Sequence, residues 1–214
     1  MNGGRAFPAA QFETLEQQHD TARLGLWCFL ATEVLFFGGL FTSYTVYRYL
    51  YPHAFAVGSN HNNLLLGTLN TAVLLTSSLA MALAVRAAQL GKAKAQLGWL
   101  LLTIAFAFGF LVIKGLEYSQ HIHEHLLPGP GFDHSLGRQT ELFLLYYWLM
   151  TGLHALHVII GIGILSVIAW LSWREPFTGE YYSPMEMSGL YWHFVDIVWV
   201  FLYPLLYLIN RHIS

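Results

Sequence analysis

Charge is scarce in this 214-residue sequence: Asp, Glu, Lys and Arg together make up 10% of it, where an ordinary soluble domain carries roughly 25%. With 56% hydrophobic residues, the chain has too little polar surface to cover a small globule, so a bilayer is the expected solvent. A net charge of −2 gives no basis for binding nucleic acid. Cysteine is nearly absent; Cys28 stands alone in an apolar run, which excludes a disulfide framework and a thiolate metal site. Not one His-His pair occurs among 11 histidines. No phosphate-binding loop, nucleophile elbow, internal repeat or low-complexity tract is present, and a single domain over residues 1–214 is expected. The first 20 residues include Glu13, Glu16 and Asp20, too polar and acidic for a signal or transit peptide, so the first hydrophobic helix is expected to remain and to direct its own insertion.

What the chain does have is apolar length. Five runs stand out: Leu24 to Tyr47, Leu64 to Val85, Leu97 to Ile113, Leu142 to Trp173 and Gly189 to Ile209. The longest uncharged stretch, Leu142 to Trp173, covers 32 residues, or about 48 Å of helix against a hydrocarbon layer of about 30 Å. The runs predict an all-α membrane protein, with a polar segment at 1–22 and transmembrane helices at about 24–47, 64–86, 97–117, 141–173 and 188–210. Placing the N-terminus in the cytoplasm puts Arg5, Arg23, Arg86, Lys92, Lys94 and Arg174 inside, with Arg48, Lys114, Arg138 and Arg211 outside. That bias favours a cytoplasmic N-terminus. Tyr51 to Asn63 is expected to be a short polar linker, and Ser119 to Thr140, with Pro128-Gly129-Pro130-Gly131, the longest connection. Trp173 to Met187, with Glu175, Pro176, Glu180 and Pro184, is expected to be a solvated turn. Aromatic clusters at Tyr44-Tyr47-Tyr49-Tyr51, Tyr146-Tyr147-Trp148 and Tyr181-Tyr182 suit the membrane interface. Gly38, Gly39, Gly67, Gly109, Gly115, Gly152, Gly161 and Gly163 are expected to let helix backbones approach closely.

Several ionisable groups fall at membrane depth. Glu33, about 14 Å along the first helix by rise per residue, must be neutral, hydrogen-bonded or paired, because an isolated charge in hydrocarbon is costly. It is either a proton-handling or lipid-contacting carboxyl or a packing contact. Asp196 poses the same problem, and Trp192 and His193 share its helical face at i−4 and i−3; pairing with His193, or with a histidine of the fourth helix, would relieve it. Lys114 and Glu117 form an i, i+3 pair, expected to be interfacial with the lysine reaching to the headgroups and open to extension by Tyr118 and Gln120. His154 and His157 share one face of the fourth helix. Together with His193, with His121, His123 and His125 of the HIHEH segment, and with Glu33 and Glu117, they raise a membrane di-iron desaturase or hydroxylase as a reading. The missing His-His pairs and the differing depths of these histidines count against it.

Five segments, in order, resemble subunit III of the haem-copper cytochrome c oxidases. LGLWCFLATEVLFFGG is similar to that family's W-x-F-L-x-S-E-x-x-F-F segment, with Thr32 in place of serine. LNTAVLLTSS resembles L-N-T-x-x-L-L-x-S-S, KGLEY resembles K-G-x-E-Y, TGLHALHVIIG resembles T-G-x-H-G-L-H-V-x-x-G with Ala155 for glycine, and YWHFVDIVW resembles W-H-F-V-D-x-V-W. The resemblance implies a five-helix bacterial form whose helices make two groups around a lipid-holding cleft. Glu33 would match a buried, carbodiimide-reactive carboxyl beside that cleft. Glu117, His154, His157, Trp192, His193 and Asp196 would match further motif positions, and Arg174 a basic position for a lipid headgroup. HIHEH departs from the pattern and acquires no role.

The same resemblance implies a non-catalytic subunit with no cofactor of its own. Haem and copper would sit in partner subunits, with structural phospholipids against this chain. Subunit I, which reduces oxygen and pumps protons, would be its direct contact, with subunit II beyond and a larger respiratory supercomplex left open. The expected location is the bacterial inner membrane, multi-pass. The expected contribution is stability, bound lipid and proton uptake. Homologous alternatives are subunit III of a quinol oxidase, whose corresponding position often carries Asp, and a nitric-oxide-reductase accessory subunit.

Overall fold

A computed structural model describes residues 14–129, 132, 136–174 and 183–209. Among these residues are six α-helices: α1 Leu15–Leu50, α2 Pro52–Asn60, α3 Leu64–Gln89, α4 Ala93–His123, α5 Arg138–Arg174 and α6 Ser183–Tyr207. All but α2 are long and apolar enough to cross a membrane. No strand occurs among the described residues, and the chain is an all-α membrane bundle.

Local signals account for most helix ends. Thr14 caps α1 by accepting from the Gln17 amide at 3.1 Å, and Asn63 caps α3 by accepting from Leu65 and Leu66; both use a side-chain oxygen to satisfy amides that the first helical turn leaves open. The helices overrun the lengths expected from apolar runs, because hydropathy marks where lipid begins and backbone hydrogen bonding does not stop there. Tyr51 to Asn63 is not a linker. Pro52, with its φ already helical and no amide to satisfy, starts α2. Ser183 and Pro184, expected in a turn, open α6. The expected turn residues Glu175, Pro176, Glu180, Tyr181 and Tyr182 lie outside the described residues, as do 1–13, Pro130, Gly131 and Arg211.

Two helix ends share one geometry with different residues. After α3, Gly91 takes φ +69 while the Lys92 amide donates to Ala87 and the Gly91 amide to Ala88. After α4, His125 takes φ 56 while the Leu126 amide donates to His121 and the His125 amide to Ile122. Both are Schellman closures, whose left-handed position favours glycine. His125→Gly is therefore expected to raise stability by about 1 kcal/mol, read as a later thermal transition of the purified complex.

Helices α3 to α6 pack as a four-helix bundle, and α1 stands to one side against α5 and α6. The two expected groups are thus unequal, four helices and one. Among the described residues of α1 the buried hydrophobics are Leu30, Phe37 and Tyr44, a single stripe with a seven-residue period. The bundle core is aromatic: Trp192, Trp199, Tyr147, Tyr207, Phe110 and Phe143 are fully buried. Tyr44 and Tyr147, expected as interface rings, belong to this core instead. Helix α2 wedges one end of the bundle, with Phe55 against Tyr44 and Phe143, ring centroids 5.3 and 5.5 Å apart. The last carbonyls of α6 have no partner within the helix and are taken by side chains of α1, of α2 and of the turn that follows α2. Tyr44 donates to Leu205, and Ser59 and Asn62 donate to Leu206 at 2.9 and 3.0 Å.

The glycines divide. A methyl group on Gly67 would meet Tyr207 at 2.7 Å, and one on Gly161 would meet Trp192 at 2.7 Å. Gly38, Gly39, Gly109, Gly115, Gly152 and Gly163 have nothing within 4 Å. These six face out of the chain and do not serve its internal packing.

Candidate functional site: an apolar groove with a carboxyl and imidazole pair

Where α1 leans against α5 and α6 it leaves a groove of about 560 Å³. Leu26 and Phe29 of α1, Leu156, Ile160 and Ile164 of α5, and Met187, Ser188 and Tyr191 of α6 line it. Two ionisable groups enter this wall. Glu33 Oε2 lies 3.2 Å from His157 Nε2, with the side chains 18% and 12% exposed. His157 Nδ1 is 2.8 Å from the Leu153 carbonyl. A carbonyl only accepts, so Nδ1 carries a proton. The Nε2 to Oε2 contact then holds one more, resident on either atom. With the proton on oxygen both groups are neutral; with it on nitrogen they form an ion pair. The pair is neutral overall in both arrangements, which resolves the desolvation problem that Glu33 poses alone. Phe37 packs edge-on to the imidazole at 5.3 Å, and Tyr191 donates to the His157 carbonyl at 3.1 Å.

The other predicted residues scatter. His154, one turn away on α5, points into the bundle between Phe110 and Trp199, at 5.5 and 5.1 Å, and neither ring nitrogen has a hydrogen-bond partner among the described residues. Trp192 donates from Nε1 to Ser77 at 3.1 Å. The expected pairing of His193 with Asp196 does not form: His193 Nδ1 bonds Ser78 Oγ at 2.8 Å. Asp196 is buried beside Ser78. The hydroxyls that α3 presents to this face of α6 prevail over i, i+3 spacing. Arg174, at the end of α5, lies over the Trp170 ring at 4.1 Å, away from the groove.

Lys114 and Glu117 are not interfacial. Their side chains are 2% and 0% exposed. Lys114 Nζ donates to Glu117 at 2.9 Å, and to the hydroxyls of Tyr147 and Tyr207 at 2.8 Å each, which uses all three ammonium protons. Tyr207 donates in turn to Glu117 at 2.8 Å. With partners supplied by α5 and α6, the lysine has no need to reach water. Gln120 is exposed and takes no part, while Tyr118 turns its hydroxyl to Thr151 at 2.7 Å. In the sequence Tyr147 stands out only as an interface ring and Tyr207 not at all; the signal for both is that each sits near the end of a span, level with Lys114. Among the described residues no group of three or more His, Cys, Asp or Glu side chains could hold a metal ion, and the histidines proposed for a di-iron centre do not converge.

Comparison with known proteins decides the family. The family model for cytochrome c oxidase subunit III matches residues 13–211. The chain belongs to that family. Among the relatives of this subunit III are cytochrome c oxidase subunit 3 of Thermostichus vulcanus, 32% identical over 190 residues, covering 88% of this chain and 87% of that protein. Cytochrome bo(3) ubiquinol oxidase subunit 3 of Pseudomonas putida is 30% identical over 198 residues, covering 90% and 89%. Heme-copper oxidase subunit I+III of Aeropyrum pernix is 30% identical over 196 residues, 89% of this chain and 23% of that longer polypeptide. This is therefore a multi-pass membrane subunit III of a haem-copper oxidase, and it associates with other oxidase subunits.

Proposed function

We propose that this chain is the non-catalytic subunit III of a cytochrome c-oxidising complex in a bacterial inner membrane, N-terminus in the cytoplasm. It packs directly on subunit I, with subunit II in the same complex; haem and copper reside in those partners. The polypeptide that carries subunits I and III together in a relative supports the contact with subunit I. Glutamate at position 33 supports cytochrome c over quinol as the donor. The observation that carries the functional reading is the Glu33 and His157 pair, set in the wall of an apolar groove. The groove holds phospholipid, and the pair keeps a transferable proton at membrane depth without a net charge. Through both, the subunit sustains the turnover of its partner.

Glu33→Ala is expected to leave the initial rate of oxygen consumption largely unchanged and to shorten the catalytic lifetime of the purified complex, while a hydrophobic carbodiimide labels wild-type Glu33 in membranes. Immediate loss of all activity in an assembled variant would give the carboxyl a part in the chemistry and defeat the supporting role. Turnover with reduced cytochrome c and not with a quinol checks the donor.

A further inference from the structure

A second groove, of about 310 Å³, lies between α3 and α6. It uses a different face of α6: Met187, Ser188 and Tyr191 look toward α1 and α5, whereas Glu186 and Leu190 look toward α3. Its mouth is formed by Arg86 and Gln89 in the last turns of α3 and by Glu186 in the first turn of α6, at the membrane edge shared by the start of α1 and the end of α5. Val85 and Leu190 make apolar walls, and His193 lies deepest. From Glu186 to His193 the helix descends about 10 Å, the depth of a phospholipid headgroup with its glycerol.

The mouth carries one charge of each sign, and the two do not pair. Among the described residues Arg86 makes one hydrogen bond, to Gln89 at 3.3 Å, and the residue is exposed. Glu186 accepts from Arg23 of α1 at both carboxyl oxygens, at 3.0 and 3.3 Å, and each oxygen keeps further acceptor capacity where Glu186 lines the groove. A simple anion would find Arg86 but meet Glu186; a simple cation would find the reverse. We propose that this groove binds a zwitterionic phospholipid bearing a primary ammonium, of the phosphatidylethanolamine class, with its phosphate on Arg86 and its ammonium on Glu186. A guanidinium matches phosphate in planar two-point contact, and a primary ammonium donates hydrogen bonds to a carboxylate as a quaternary one cannot. The acyl ester end then enters between Val85 and Leu190. This site is separate from the one beside Glu33 and does not depend on it.

The test uses the intact complex reconstituted in nanodiscs of equal phosphatidylethanolamine and phosphatidylglycerol, released gently and weighed by native mass spectrometry. Wild type should retain phosphatidylethanolamine several-fold over phosphatidylglycerol at this site. Arg86→Gln should lose one retained lipid outright. Glu186→Gln should keep a lipid but lose the preference, whereas Arg23→Gln, which removes the bridge to Glu186 and leaves Glu186 itself in place, should keep the wild-type preference. Leu190→Trp, which fills the groove and leaves every charge in place, should also lose one lipid. Retention unchanged in Arg86→Gln and Leu190→Trp, a wild type indifferent to headgroup, or a preference that survives Glu186→Gln would overturn the assignment.

Discussion

Lys114→Met is expected to cost about 3–5 kcal/mol, the usual penalty for stripping one partner from a buried ion pair. Methionine fills much of the lysine's volume but offers no protons, so among the described residues the Glu117 carboxyl keeps Tyr207 alone as a donor at a position fully shut from solvent. The loss should appear as a lower thermal transition of the complex and as release of this subunit during purification in mild detergent. The companion experiment carries the sign. Lys114→Met combined with Glu117→Leu removes both charges and should recover most of the loss, because two well-packed apolar groups can replace a buried pair at little or no cost. Were Lys114→Met alone to behave like a surface substitution, within about 0.5 kcal/mol, the lysine would have to reach water, as its position near a helix end first implied.

What was legible beforehand follows the range of the forces involved. Spans depend on composition summed over twenty or so residues, and those were recovered. Caps depend on two to four neighbours; Asn63 and Gly91 are residue types that favour such ends, a local signal the reading by apolar runs did not use, whereas imidazole in the left-handed turn at His125 leaves no trace in the pattern. Lys114, His193 and Glu33 each have partners far along the chain. Tyr147 and Tyr207 are 33 and 93 residues from Lys114, Ser78 is 115 from His193, and His157 is 124 from Glu33. Spacing along one helix put His193 with Asp196 and left Glu33 alone. Tertiary packing dissolved the first and supplied a partner for the second. The family resemblance named Glu33 and His157 as motif residues without saying that they touch.

Gly67→Ala is expected to cost about 1–3 kcal/mol, the price of overpacking a filled core, although alanine is the better helix former. The added methyl would stand 2.7 and 2.8 Å from the Tyr207 ring and 3.2 Å from Tyr203, so the rings must move, and their hydroxyls with them. Tyr207 then leaves Lys114 and Glu117, and Tyr203 leaves Thr68, which it contacts at 2.7 Å. Part of the cost is therefore borne by the buried network and not by the clash itself. In the Lys114→Met and Glu117→Leu background that part is already gone, and Gly67→Ala should cost less there, with a coupling of about 0.5–3 kcal/mol. Gly109→Ala is the control: a methyl there meets nothing within 4 Å, and in the isolated subunit it should gain up to about 1 kcal/mol of helix propensity. If Gly109→Ala instead weakens the assembled oxidase while stabilising the isolated chain, the outward-facing glycines of α4 lie against a neighbouring subunit, and the absence of a side chain there serves association between chains.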